Sequence, residues 1–133
     1  MSRYKKLPDG EFEIMKAVWQ SEEPVTSPQL TEKLRVLLPE RDWKQQTVMT
    51  MMVRLEKKGF LRSEKNGKDR LYFSLCSEND YMQVESESFR GRFRNSSFSG
   101  LVKALSGGEK MSEADIDELQ QWLDSMQNKI GEE

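Results

Sequence analysis

The chain has 133 residues, with 21 Lys and Arg against 23 Asp and Glu, no histidine and a single cysteine, Cys76. That length holds one medium domain, or a small domain with an appended helical segment, and with neither histidine nor a second thiol the chain lacks the usual means of building a disulfide framework, a multi-cysteine metal site or a general base. No catalytic residue, metal or cofactor is therefore assigned, and the mean hydropathy of -0.81, without an apolar run near the roughly 18 residues of a membrane span, predicts no membrane insertion and a cytoplasmic protein.

The start, Met1-Ser2-Arg3-Tyr4-Lys5-Lys6, is basic, but no apolar stretch follows to make a signal peptide. Asp9 precedes Phe12, Met15, Val18 and Trp19, whose spacing of three and four makes one apolar helix face. Gln20-Ser21-Glu22-Glu23-Pro24 breaks that helix. Val25 can then form a short extended contact before Ser27 caps and Pro28 opens a second helix, with Leu30, Leu34, Leu37 and Leu38 on its buried face. Pro39 ends it, and Glu40-Arg41-Asp42 leads to a third helix over Lys44 to Lys58, closed by Gly59 at C′.

Beyond Gly59 the period changes to two. Leu71, Phe73 and Leu75 fall on one face of a strand and Arg70, Tyr72 and Ser74 on the other, which is read as the outward one. Phe60 to Glu64 is the partner strand, and Lys65-Asn66-Gly67-Lys68 contains the Asn-Gly pair that favours a tight hairpin turn. Three short helices and a hairpin describe a winged helix-turn-helix. The predicted fold class is mostly α with a small β-hairpin, in two parts: a winged helix-turn-helix N-terminal domain over residues 1–76 and a C-terminal helical dimerisation segment over residues 77–133.

In the second part, Tyr81, Val84, Phe89 and Phe93 are candidate buried positions of a fourth helix, and a short helix follows over Phe98 to Leu105. After Ser106-Gly107-Gly108, Ser112 and Asp115 form a capping-box variant that starts the last helix. Ile116, Leu119, Leu123, Met126 and Ile130 repeat there at spacings of three and four, a narrow seam of the kind that pairs helices. Packing within its own domain is the alternative; pairing between two copies is preferred, because the segment is too short for a separate core.

Charge divides the same way. Residues 1–76 carry 15 basic against 11 acidic side chains and residues 77–133 carry 6 against 12, so the two parts have opposite sign. Trp43 to Cys76 alone has 8 basic to 3 acidic, which concentrates cations where a phosphate-binding surface needs them. On the third helix, with about 100° per residue, Gln46, Thr47, Thr50, Arg54, Lys57 and Lys58 share an arc of roughly 120°, free of acidic residues, opposite Val48, Met51, Met52 and Leu55. Gln can pair with adenine and Arg with guanine, Thr can offer a hydroxyl or a methyl, and Lys57 and Lys58 suit phosphates. In the hairpin Arg70 is the preferred backbone contact over Lys65 and Lys68, since it is fixed on a strand.

The segment Trp43-Lys44-Gln45-Gln46-Thr47-Val48-Met49-Thr50-Met51-Met52-Val53-Arg54-Leu55-Glu56-Lys57-Lys58-Gly59 closely resembles the recognition-helix region of the penicillinase-repressor family, the BlaI/MecI/CopY type. The resemblance extends to Glu11 to Trp19, Arg70-Leu71-Tyr72, Asn79-Asp80-Tyr81, Ser88-Phe89 and Arg92-Phe93, and into the acidic final helix. It implies a homodimeric repressor whose C-terminal helices intertwine and whose winged domains occupy the half-sites of a palindromic operator, with DNA contacts at Gln46, Thr47, Thr50, Arg54 and Arg70. Gln46 departs from the Lys that many members carry, and the absence of cysteine from the tail sets the chain apart from the copper-responsive branch and nearest the BlaI/MecI branch. That branch further implies a membrane sensor-protease system and cleavage within the dimerisation region, here between Ala104 and Leu105, although these differ from the usual Asn-Phe pair. A winged-helix module for protein contacts and a regulator responsive to a small molecule are the alternatives.

Overall fold

The computed structural model describes residues 4–132, so the Met1-Ser2-Arg3 part of the basic start lies outside it. Six helices and one hairpin follow in the order α1 (Asp9–Trp19), α2 (Ser27–Leu37), α3 (Gln45–Lys57), β1 (Leu61–Asn66), β2 (Asp69–Ser74), α4 (Glu78–Arg92), α5 (Phe98–Leu105) and α6 (Glu113–Glu132). This is the expected winged helix-turn-helix arrangement, mostly helical with a two-stranded antiparallel sheet. The chain divides into two compact units, Met1–Arg92 and Phe93–Glu133.

In the first unit the core is built from one face of each of the three leading helices: Ile14, Met15 and Val18 of α1, Leu30 and Leu34 of α2, Val48, Met52 and Leu55 of α3. Phe12 and Trp19, expected on the buried face of α1, are only partly buried, and Ile14 and Ala17 fill the centre instead. The cap of α2 is Thr26 rather than Ser27. Its side chain accepts from the Gln29 amide and the Gln29 side chain accepts from the Thr26 amide, a reciprocal box that satisfies two otherwise orphaned donors, with Pro at the helix start. Leu37 is exposed, so the buried stripe of α2 ends one turn sooner than expected, with Leu38 only partly buried.

Gly59, with φ 85°, ends α3 in the left-handed region and turns the chain into the wing. The strands pair from Leu61↔Ser74 to Asn66↔Asp69, leaving Gly67 and Lys68 as the turn. Gly67 has φ 65° while Lys68 has no positive φ, the pattern of a II′ hairpin turn, with Gly at the first central position, rather than the I′ type usual for Asn-Gly. Val25 is tied to the wing by two backbone bonds to Tyr72, 3.1 and 2.8 Å long, an isolated bridge that fixes the segment before α2 against β2.

Two expectations are corrected here. Tyr72, expected to face outward with Arg70, is 6% exposed; Leu71 and Phe73 are only partly covered and Leu75 is exposed. An alternating pattern identifies two faces but not which of them meets the core, and the pairing of Tyr72 with the buried Val25 settles it. The boundary expected after residue 76 also moves. Tyr81 and Val84 of α4 belong to the same core as α1 and α3, and the Tyr81 ring lies within 6 Å of Phe12, Trp19 and Phe60. The Tyr81 hydroxyl accepts from the Leu7 amide at 2.7 Å and donates to Glu85 at 2.7 Å, and burial raises its pKa. Phe89 and Phe93, expected to be buried, are exposed: after Val84 the run Glu85-Ser86-Glu87-Ser88 supplies nothing apolar to hold the helix against the core.

In the second unit Ser97 caps α5, and Gly107 and Gly108, both with positive φ, follow its end. The Ser112 hydroxyl accepts from the Asp115 amide at 3.1 Å at the start of α6, as expected. No residue of α5 is buried. The α6 seam of Ile116, Leu119, Leu123, Met126 and Ile130 is exposed along its length, together with Trp122.

Candidate nucleic-acid interface

The orientation of α3 follows from what its two flanks touch. On one flank Lys58, at its C-cap, forms an ion pair with Glu11 of α1, and Met51 packs over Gly10. On the other, Glu56 meets Ser63 of the wing. The exposed surface of α3 lies between these flanks and carries Gln46, Thr47, Thr50, Arg54 and Lys57, while the sixth predicted residue, Lys58, is exposed at its edge. The first turn of α3 carries no acidic residue to repel phosphate.

Within that set the intramolecular contacts differ. Thr50 donates its hydroxyl to the Gln46 carbonyl at 2.9 Å, so its one donor is used within the helix and it offers an acceptor and a methyl. Lys58, expected to meet phosphate, forms an ion pair with Glu11, whose side chain is nearly fully buried; this pair ties the end of α3 to α1. Gln46, Thr47, Arg54 and Lys57 have no side-chain partner among the described residues.

The exposed face is also wider than the predicted arc. Met49 and Val53 are 40% and 45% exposed, and at about 100° per residue they extend the open arc on the wing side, placing Val53 beside Gln46 and Lys57. Both are apolar and lie between the polar arc and the buried one. Their exposure is decided by where the wing and α1 sit, which periodicity does not specify.

The wing adds cations. Lys65 and Arg70 are directly opposite in the β1–β2 register, and Lys68 sits in the turn. Like charges opposite one another destabilise a hairpin unless an anion lies across them. Arg70 is held from below: its Nε donates to the Ser63 hydroxyl at 2.9 Å, and that hydroxyl donates to the Glu56 carboxylate, 2.9 and 3.0 Å from its two oxygens. The nearby wing cation Arg62 is occupied elsewhere, paired with Glu64 at 2.8 Å and stacked 4.0 Å above the Phe73 ring. Ser63 and Glu56 were not singled out in the sequence; a serine in a polar strand carries no signal of its own. Tyr72 lies under this network, its hydroxyl pKa raised by burial and then by Glu56, and lowered in part by Arg70.

A helix-turn-helix with an acid-free exposed face on α3 and a cationic hairpin beside it is the arrangement of a DNA-binding protein. Comparison with known proteins agrees. The profile described as Penicillinase repressor matches residues 7–125. The chain is 32% identical over 129 residues to the Penicillinase repressor of Bacillus licheniformis, covering 97% of this chain and 98% of that one. It is 28% identical over 118 residues to the Methicillin resistance regulatory protein MecI of Staphylococcus aureus (strain N315), covering 89% and 93%. The solution structure of the DNA binding domain of the repressor BlaI matches with 30% identity and a TM-score of 0.50, over 61% of this chain and 94% of that one. The chain belongs to the penicillinase-repressor family, nearest its BlaI and MecI branch. It is a DNA-binding repressor, of a family that is not enzymatic. Among the described residues, no helix is long and apolar enough to cross a membrane.

Proposed function

We propose that the chain binds a palindromic operator as a homodimer, with α3 of each copy in the major groove and the wing along the neighbouring backbone. The observation that carries this reading is the open face of α3, where Gln46, Thr47, Thr50 and Arg54 stand together without an acid among them. In this reading Gln46 and Arg54 meet base edges, Thr47 and Thr50 contribute smaller contacts, and Lys57 and Arg70 meet phosphates. Lys58 serves the fold through Glu11 rather than the DNA.

The homodimer is supported by the seam on α6. Ile116, Leu119, Leu123, Met126 and Ile130 are all exposed in a single chain, and a second copy gives that stripe the partner it lacks. Linking two winged domains raises the effective concentration of the second once the first is bound. Titration of duplex DNA into the full chain at several salt concentrations tests the reading: a log-log slope of several phosphate contacts is expected, and binding that ignores salt would overturn it.

Relief of repression is proposed to follow cleavage between Ala104 and Leu105 by a membrane sensor-protease system. Both residues are exposed at the end of α5, just before Gly107 and Gly108. A cut there separates the winged unit from the α6 seam. Immunoblots during derepression are expected to show an N-terminal fragment ending near Ala104; persistence of intact protein throughout would overturn the mechanism.

A further inference from the structure

Two apolar side chains stand open on the DNA-binding helix, and the contacts assigned so far leave them unused. Met49 and Val53 are one helical turn apart on α3, 40% and 45% exposed, on the side toward the wing. Their neighbours around the open arc are Gln46, Thr50 and Lys57. A single exposed apolar residue needs no explanation. Here a pair stands side by side within the surface that otherwise carries only groups able to bond to DNA. Neither belongs to the core cluster, where the seat of α3 is made by Val48, Met52 and Leu55 with Met51 packed against them.

The major groove offers one apolar group, the 5-methyl of thymine. We propose that Val53, with Met49 beside it, reads thymine methyl groups in the operator, so that part of the sequence preference comes from apolar contact rather than from hydrogen bonds. The inference rests on α3 being the helix that enters the major groove. Placing Val53 there removes both its own surface and the methyl from water, and a methyl contributes about the free energy of one buried CH₂, ~0.8 kcal/mol, or about four-fold in affinity. Thr47 and Thr50 also carry methyls, and Thr50, its hydroxyl donor already spent on Gln46, is the nearest competitor for this role.

Replacing thymine by uracil removes that methyl and leaves the base-pairing edge intact. The full chain is used to select duplexes from a randomised DNA library, and the enriched duplex is then resynthesised with uracil in place of each thymine in turn. Uracil at one or two positions is expected to weaken the unaltered protein about four-fold. The M49A/V53A variant is expected to bind thymine and uracil duplexes alike, with an unchanged melting temperature. If the unaltered protein binds every uracil duplex as well as its thymine counterpart, methyl reading is overturned while operator binding stands. Full methyl dependence retained in M49A/V53A would also overturn the assignment and move it to the threonines. If the selection enriches no sequence, the operator reading fails and takes this inference with it.

Discussion

Ser63 stands between Glu56 and Arg70: its hydroxyl donates to the carboxylate and accepts from the guanidinium Nε at 2.9 Å. One small side chain thus links the last turns of α3 to the wing, and the cation proposed to meet the DNA backbone is aimed from beneath by the helix proposed to read the bases. Among the described residues the terminal nitrogens of Arg70 have no partner, while its Nε is fixed by Ser63.

Removing that link is expected to loosen Arg70 without disturbing base reading. Ser63→Ala and Glu56→Gln should each weaken binding by about 0.5–1.5 kcal/mol, the scale of one net hydrogen bond, equally on operator and unrelated duplexes. Arg70→Ala should do the same and lower the salt slope. In a double-mutant cycle Ser63→Ala should add little once Arg70 is gone. Additive losses would mean that Ser63 acts on something other than Arg70.

Arg54→Ala is expected to behave differently. Arg54 is exposed with no partner of its own among the described residues, and its loss should cost about 1–3 kcal/mol on the operator and relax preference at one base pair. Competition with single-base operator variants reads this directly. An equal loss on random DNA would reassign Arg54 to a phosphate.

Lys58→Ala should reduce stability more than recognition. It leaves the nearly buried Glu11 carboxylate without its cation, and because Lys58 itself is half-exposed the cost should fall between a surface and a buried pair, about 1–2 kcal/mol by urea denaturation. Glu11→Gln in the same background should restore much of it. A variant as stable as the parent but defective on all DNA would return Lys58 to the phosphate contacts.

Leu119→Asp combined with Leu123→Asp places two charges in the α6 seam, and the protein is expected to sediment as a monomer with its N-terminal unit still folded. Operator binding should fall sharply, because each winged domain alone makes too few contacts to hold a site. An unchanged dimer would show that the copies associate elsewhere.

The hydrophobic periods of three or four in α1, α2 and α3, the switch to two after Gly59 and the Asn66-Gly67 turn signal are local properties, so the winged helix-turn-helix and the polar face of Gln46, Thr47, Thr50 and Arg54 were legible in the chain itself. The family resemblance lay in the same stretch. What a local pattern cannot contain is the identity of its neighbour. Which side of the β2 alternation faces the core was decided by Val25 pairing with Tyr72 across 47 residues of sequence. Whether a cation on α3 is free for DNA depended on Glu11 lying opposite Lys58, and the link from Glu56 to Arg70 through Ser63 exists only because the strand returns past the helix end. The openness of Met49 and Val53 has the same origin: an apolar side chain on a helix is buried or bare according to what packs beside it, and that is a property of the assembled fold.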